Sequence, residues 1–379
     1  MASGYSDKSP AVSSSPSSAA SGVADASSVP CRSSGDGPPA AGAVPELSGR
    51  GRLSTLMGVQ VLATGSYIPE AVVRNEDLAT LGCDAQWIVQ RTGIQERRRA
   101  AAHEATSDLA YEAAVRCLDN AGIEAREIDL ILVATMTPDM PTPSTACTLQ
   151  RRLGTVAAAM DINAACSGFI YALITGMQFV KTGCSRRALV VGSDIMSRII
   201  NPADKKTFPL FGDGAGAVVV GESRGDQGLL AYSLGSEGDL GELLSMPGGG
   251  SREPLTPEGL ARGRQYLRMD GRSVFKWAVR MIQDIVGDVM RHAELTMNDL
   301  DLVIMHQANQ RILDAAADGL GLDRDKVLMN LDRVGNTTAA SIPMVLDEAW
   351  AAGRLKRGDH VLLTGFGAGL TWGAAVVRY

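Results

Sequence analysis

From residue 57 onward the apolar positions fall into two kinds of run. Five stretches are apolar almost throughout: "IDLILVAT" (128–135), "RALVVGSD" (187–194), "AGAVVVGE" (215–222), "LDLVIMHQ" (300–307) and "DHVLLTGFG" (359–367). Runs of this length without polar alternation predict strands covered on both faces. The segments between them read as helices. "TSDLAYEAAVRCLDNAG" (106–122) opens on Thr and Ser cap candidates and closes on Gly, and "SVFKWAVRMIQDIVGDVMRHA" (273–293) carries a helical apolar period. Strands alternating with helices predict an α/β fold in layers.

The pattern repeats. Asp129 and Asp301, each opening a strand-like run, lie 172 residues apart, and so do Ala188 and His360. One offset shared by two landmarks predicts a duplicated α/β unit with halves over 57–225 and 226–379. The same offset sets Cys166 opposite Thr338. The loop around Asn336 is therefore expected to duplicate the loop around Cys166, and the two to converge on a pseudo-twofold axis.

Residues 1–56 follow neither pattern. Stretches such as "SSSPSSAASG" and "SSGDGPPAAGA" offer almost nothing large and apolar to bury, which predicts a disordered extension. Its acids (Asp7, Asp25, Asp36, Glu46) balance its bases (Lys8, Arg32, Arg50, Arg52), which favours a linker or tail. A transit peptide and a translation start at Met57 are the alternatives.

Composition narrows the function. The net charge of −6 argues against a nucleic-acid partner, which selects a dominant basic surface. No apolar run reaches the roughly 20 residues of a membrane span. The six cysteines show neither paired nor metal-ligand spacing, so a disulfide framework and a metal site are not expected, and a reducing, cytoplasmic setting is. "FGDGAGAVVV" (211–220) holds GxGxG but leads into a strand where a dinucleotide site needs a helix. Cys166, His306 and Asn336 stand in papain-like order, yet the flanking signature and the layout of such proteases are missing.

Four short motifs remain: "NAACSG" (163–168), "HQANQR" (306–311), "DRVGNTTAASIP" (332–343) and "GFGAGLTWG" (365–373). Together they supply a thiol, an imidazole, a carboxamide and backbone donors near strand ends, where α/β ligand sites form. In this order, and with 30 residues from His306 to Asn336, they resemble β-ketoacyl-acyl-carrier-protein synthase III, a condensing enzyme of the thiolase superfamily. The resemblance covers Met57 to Tyr379. It implies a thiolase-like duplicated α/β/α/β/α fold and a homodimer. It also implies an initiating condensation of type II fatty acid synthesis, or alternatively the priming step of a specialised, polyketide-like pathway. No cofactor is implied; the substrates are acyl-CoA and malonyl-acyl-carrier protein.

Residue by residue, the resemblance makes Cys166 the acyl-carrying nucleophile, activated at a helix N-terminus. His306 and Asn336 become donors to the carbanion. The backbone N–H groups of Cys166 and Ala368 form the oxyanion site, with Ala368 replacing the family's glycine. Trp87, Arg91, Arg198 and Asn309 take the CoA role. Gln307, Ala308, Asn309, Gln310, Arg311 and Lys276 take the carrier-protein role, weakened where Asp318 and Gly319 replace lysines of relatives. Thr142 falls where relatives place a bulky aromatic entering the partner subunit's acyl pocket, which predicts tolerance of longer or branched primers.

Overall fold

Apolar alternation within single strands explains the layering. A computed structural model describes residues 51–379. The first half runs β1 (Ser54–Met57), β2 (Val59–Tyr67), a hairpin of β3 (Ala71–Arg74) and β4 (Glu96–Arg99) enclosing α1 (Ala85–Thr92), then α2 (Thr106–Ala121), β5 (Leu130–Ala134) and α3 (Thr145–Leu153). It continues through β6 (Ala158–Ile162), α4 (Gly168–Lys181), β7 (Arg187–Ile195) and β8 (Asp213–Glu222).

The second half runs β9 (Gly228–Ser236), β10 (Leu244–Ser245), α5 (Pro257–Ala261), β11 (Arg268–Met269), α6 (Gly271–His292), β12 (Leu302–Met305) and α7 (Gln310–Leu320). β13 (Val327–Leu328), α8 (Leu331–Val334), α9 (Ser341–Ala351), β14 (His360–Gly367) and β15 (Thr371–Arg378) complete it.

Two mixed sheets carry the same order. One reads β2-β8-β7-β5-β6 and the other β9-β15-β14-β12-β13, with β1 added beside β9. In β5, Leu130, Leu132 and Ala134 face a core shared with α4, α9 and the second sheet, whereas Ile131 and Val133 face α2 and α3. The second sheet's outer face packs on α6 and α7. The layers are thus α/β/α/β/α, and both sheets are covered on both sides, which is why their strands read as unbroken apolar runs.

Three expectations change. The extension assigned to 1–56 ends earlier, because Ser54–Met57 pairs antiparallel with β9 and buries Leu56. The remainder of that segment, 1–50, lies outside the described residues. The repeat also slips by one. Leu130 pairs with Ala188 and Leu302 with Val361, so β5 and β12 are 172 apart but β7 and β14 are 173 apart. One extra residue beyond β12 sets Asn163 opposite Asn336 and Cys166 opposite Ala339. The helix at 106–121 also begins differently. Asp108 Oδ2 accepts from Ala105 N at 2.7 Å and caps it, while Thr106 Oγ1 donates to Thr137 O.

Candidate active site

Each half threads its central helix through a short left-handed turn. Residues Ala165–Ser167 form a 3-10 turn into α4, and Thr338–Ala340 one into α9. The first residue of each is left-handed, Ala165 with φ 48° and Thr338 with φ 51°, which side chains rarely adopt. An asparagine two residues earlier stabilises each turn. Asn163 Oδ1 accepts from Ala165 N at 3.2 Å, and Asn336 Oδ1 accepts from Thr338 N at 2.9 Å.

The two halves hold each other's turn. A Cβ on Gly367 of β14 would fall 2.6 Å from Cys166 N, so only glycine lets that strand reach the Cys166 backbone. Gly192 of β7 plays the same part against Ala339, whose carbonyl oxygen lies 2.2 Å from the Cβ position. Between them sits Asp194, fully buried. Its carboxylate accepts from Thr135 Oγ1 (3.0 Å), Met136 N (2.8 Å), and Thr137 N and Oγ1 (3.2 and 2.9 Å). It also accepts from Thr338 Oγ1 and from Ala339 N at 3.2 Å. Burial pushes the Asp194 carboxyl up against the pull of these donors.

A cavity of about 1020 Å³ opens onto this junction, and Cys166, His306, Asn336 and Ala368 all line it. Burial and the neighbouring Asp194 charge push the Cys166 thiol up, opposed by its own backbone N–H. His306 follows β12; its N donates to Thr364 O at 2.8 Å and its ring meets Phe366 edge-on, centroids 5.5 Å apart. Burial pushes its pKa down to about 3, so the imidazole is neutral at working pH. Asn336 is gripped through its backbone by Leu210 O (2.8 Å) and Gly212 N (2.9 Å). With Oδ1 occupied by Thr338, the Nδ2 donors are the end left for the cavity. Thr371 Oγ1 lies 3.1 Å from Ala368 O, 2.9 Å from Ala164 O and 2.8 Å from Ser167 Oγ, joining the Ala368 turn to the Cys166 turn.

At the mouth, Trp87 and Arg91 of α1 line the cavity, with the Arg91 guanidinium 5.5 Å from the Trp87 ring centroid. Asn309 caps α7 by accepting from Arg311 N at 2.9 Å and donates to Arg91 O at 3.1 Å. Lys276 and Arg311 are exposed on the rim, and Ala308 lines the wall, largely buried. Gln310 is exposed beside Gly93.

Two assignments need correction. Arg198 does not line the cavity; its Nη2 donates to the carbonyls of Ala101, Ala102 and Glu104. Gln307 is wholly buried, its amide bonding Met305 O (2.7 Å) and Asn330 N (3.2 Å), so it presents nothing to a partner. Asp318 pairs with Arg324 while its side chain stays 73% exposed, so an acid rather than a lysine faces any docking protein there. Thr142 is exposed, away from the cavity of its own chain. Residues missed in the sequence include Asp194, Phe366 and Ser341, the last inside the quoted "NTTAAS", and the rim cations Lys205, Lys206, Arg268 and Arg272. Among the described residues no group of three His, Cys, Asp or Glu could hold a metal ion.

Known proteins share this arrangement. Residues 160–238 match the family model described as 3-oxoacyl-[acyl-carrier-protein (ACP)] synthase III, and residues 290–379 match its C-terminal model. The β-ketoacyl-[acyl-carrier-protein] synthase III of Rhodopirellula baltica is 57% identical, covering 86% of this chain and 100% of its own. The crystal structure of 3-oxoacyl-[acyl-carrier-protein] synthase III from Aquifex aeolicus VF5 matches with a TM-score of 0.78 and 42% identity, over 86% of this chain and 100% of that one. The priming β-ketosynthase of the R1128 polyketide pathway matches with a TM-score of 0.79 and 35% identity, over 86% and 98%.

The His306 environment has a consequence for stability. A histidine near 6.5 unfolded and about 3 folded binds fewer protons in the native state, so it stabilises above about pH 6.5 and that contribution is lost as pH falls towards 3. Urea denaturation between pH 7.5 and 4.5 should therefore show a steeper acid loss in the wild type than in His306→Gln; parallel curves would contradict the neutral, buried imidazole.

Proposed function

The chain belongs to the β-ketoacyl-[acyl-carrier-protein] synthase III family and is an initiating condensing enzyme of fatty acid biosynthesis, and from that premise we propose how its residues divide the reaction. The observation that carries the proposal is the meeting of the Cys166 turn and the His306–Asn336 pair on one cavity. The polyketide-priming alternative is not favoured, given the higher identity to synthase III relatives.

In the first half-reaction Cys166 sulfur attacks the thioester carbon of acyl-CoA. The new carbon–sulfur bond forms as the bond to CoA breaks, and the thiol proton leaves with CoA as its thiol. The N–H groups of Cys166 and Ala368 hold the oxyanion; alanine at 368 keeps the backbone donor that the chemistry requires. In the second, malonyl-acyl-carrier protein loses CO2, and the electron pair of the broken carbon–carbon bond passes into an enolate. Neutral N–H donors from His306 and Asn336 stabilise that charge without a proton transfer. A neutral imidazole suits this role, since it donates one hydrogen bond and leaves the enolate nucleophilic. The carbanion carbon then attacks the Cys166 thioester, expelling the Cys166 sulfur and giving 3-oxoacyl-acyl-carrier protein. The expelled Cys166 thiolate takes up one proton from solvent, replacing the one that left with CoA, and the cycle closes with the two substrates and that proton.

Delivery is electrostatic. Lys205, Lys206, Arg268 and Arg272 join Arg91, Lys276 and Arg311 around the mouth, against Glu242 and Asp270, on a chain whose net charge is −6. This rim suits the phosphates of CoA, with Trp87 placed to stack on a base, and the acidic surface of a carrier protein. The additional cations offset the loss of Gln307 from docking and the acid at Asp318. Arg198, spent on backbone carbonyls, is left out of the CoA assignment.

A homodimer is supported by β6, an edge strand of its sheet. Val156 beside it is 99% exposed and Met160 on it 38%, with Met140 nearby in sequence at 47%, an apolar edge suited to a second copy. In such a dimer the segment bearing Thr142 lies close to that edge in sequence and would border the partner's cavity, where its small side chain leaves room for long primers. A cytoplasmic location agrees with free Cys83, Cys117, Cys147, Cys166 and Cys184. No helix among the described residues is long and apolar enough to cross a membrane.

Intact-mass analysis after incubation with acyl-CoA should give one acyl adduct, absent in Cys166→Ala. Addition of malonyl-acyl-carrier protein should then release CO2 and 3-oxoacyl product, with primers of four or more carbons accepted; turnover confined to acetyl-CoA would refute the Thr142 reading. Lys276→Glu should raise KM for malonyl-acyl-carrier protein several-fold, less so at high salt, while an unchanged, salt-independent KM would remove that rim from docking. Light scattering should find a dimer for the wild type and monomer for Met160→Lys; a wild-type monomer contradicts the edge-strand assignment.

A further inference from the structure

Two observations at the buried side of the imidazole converge on a residue that the reaction scheme above does not use. Ser341 opens α9 and is fully buried. Its Oγ lies 2.7 Å from His306 Nδ1, a short contact between two groups shielded from water. The amide N of Gln307 also donates to that oxygen, at 3.4 Å. An oxygen that receives an N–H on one side is free to aim its own hydrogen along the short axis to Nδ1. Nδ1 then accepts, and the single proton of a neutral imidazole resides on Nε2.

The duplication supplies the second observation. β5 and β12 superpose in register, which sets Ala134 opposite Gly192 where His306 stands opposite Gly365. α4 and α9 likewise begin at Gly168 and Ser341. A Cβ built on Gly168 would lie 3.3 Å from the Ala134 Cβ, so the two positions face each other in the first half as Ser341 faces His306 in the second. The half that carries the acyl group has an alanine and a glycine at this pair of positions. The half that handles the carbanion has an imidazole and a hydroxyl. A serine retained only for packing or for starting the helix would have no reason to track the histidine.

We propose that Ser341 is a positioning residue that fixes the tautomer of His306, donating from Oγ to Nδ1 so that Nε2–H faces the cavity as the enolate donor. The inference rests on the condensing-enzyme reading for its purpose but not for its geometry. Without the hydroxyl, the Nδ1 lone pair faces a dry wall, and the proton has less reason to stay on Nε2. The opposite tautomer would turn a lone pair towards the developing negative charge and so repel it. Acyl transfer to Cys166 draws on the helix and backbone donors instead, and is affected less.

The chain has four histidines, so nitrogen NMR of protein labelled in its imidazoles can resolve His306, identified by its loss in His306→Gln. The wild type should show Nε2 protonated and Nδ1 as an acceptor. Ser341→Ala should lose that pattern, with kcat for condensation falling about tenfold or more. KM for malonyl-acyl-carrier protein and the yield of the Cys166 acyl adduct should change little, and Ser341→Thr should restore both the nitrogen pattern and most of the rate. A wild-type proton on Nδ1, or a Ser341→Ala enzyme that condenses at the wild-type rate, overturns the proposal. The wild-type spectrum stands by itself should Ser341→Ala fail to fold. A wild type that shows the Nε2–H tautomer but neither acylates nor decarboxylates would fault the condensing reading and leave the tautomer assignment intact.

Discussion

Asp194 receives six hydrogen bonds from two segments of chain, and the candidate site takes its shape from that convergence. Its carboxylate joins the strand end Thr135–Thr137 of the first half to the turn Thr338–Ala339 of the second. Two turns with left-handed residues are costly to hold in isolation. Here each is braced by a glycine from the opposite half, Gly192 behind Ala339 and Gly367 behind Cys166. A buried carboxylate without these donors would be strongly destabilising, so the site and the interlocking of the halves stand or fall together.

Duplication also explains how one architecture supports two half-reactions. The two turns share an asparagine, a left-handed residue and a following helix. Divergence lies in what each presents. The first turn places a thiol where the second has Ala339. The second half places an imidazole where the first has Ala134. Asn336 differs from Asn163 in lining the cavity, although both secure their turns through Oδ1. In the proposed reaction one side of the pocket would hold the acyl electrophile and the other the nascent nucleophile, with the cavity between them.

Much of this was legible in the sequence because it rests on periodicity and on clustered motifs. Apolar runs marked strands with two covered faces, and the repeat offset announced the paired turns. The offset misplaced the partner of Cys166 by one residue, since an extra residue between β12 and the Thr338 turn leaves no compositional trace. Other errors have a common cause: a polar side chain's letter does not reveal which groups it satisfies. Gln307 looked like a docking residue because the 307–311 segment resembles the family's docking segment, but its amide answers Met305 O and Asn330 N inside the fold. Arg198 looked like a phosphate ligand, yet three carbonyls of the 101–104 loop claim it. β1 was hidden by the Ser-rich text before it, since only Leu56 of its four residues is fully buried. Asp194, within an otherwise apolar strand, was the most informative residue overlooked: a charge there has to be answered by several donors.

The central claim is that the two turns perform separable halves of one reaction, and a single variant pair tests it most directly. In His306→Ala and Asn336→Ala, the Cys166 acyl adduct and CO2 release from malonyl-acyl-carrier protein should be measured on the same sample. The account predicts an adduct close to wild-type yield in both, with decarboxylation reduced by about two to three orders of magnitude, as for loss of one preorganised donor. Loss of the adduct in step with decarboxylation, or decarboxylation that survives both substitutions, would contradict it.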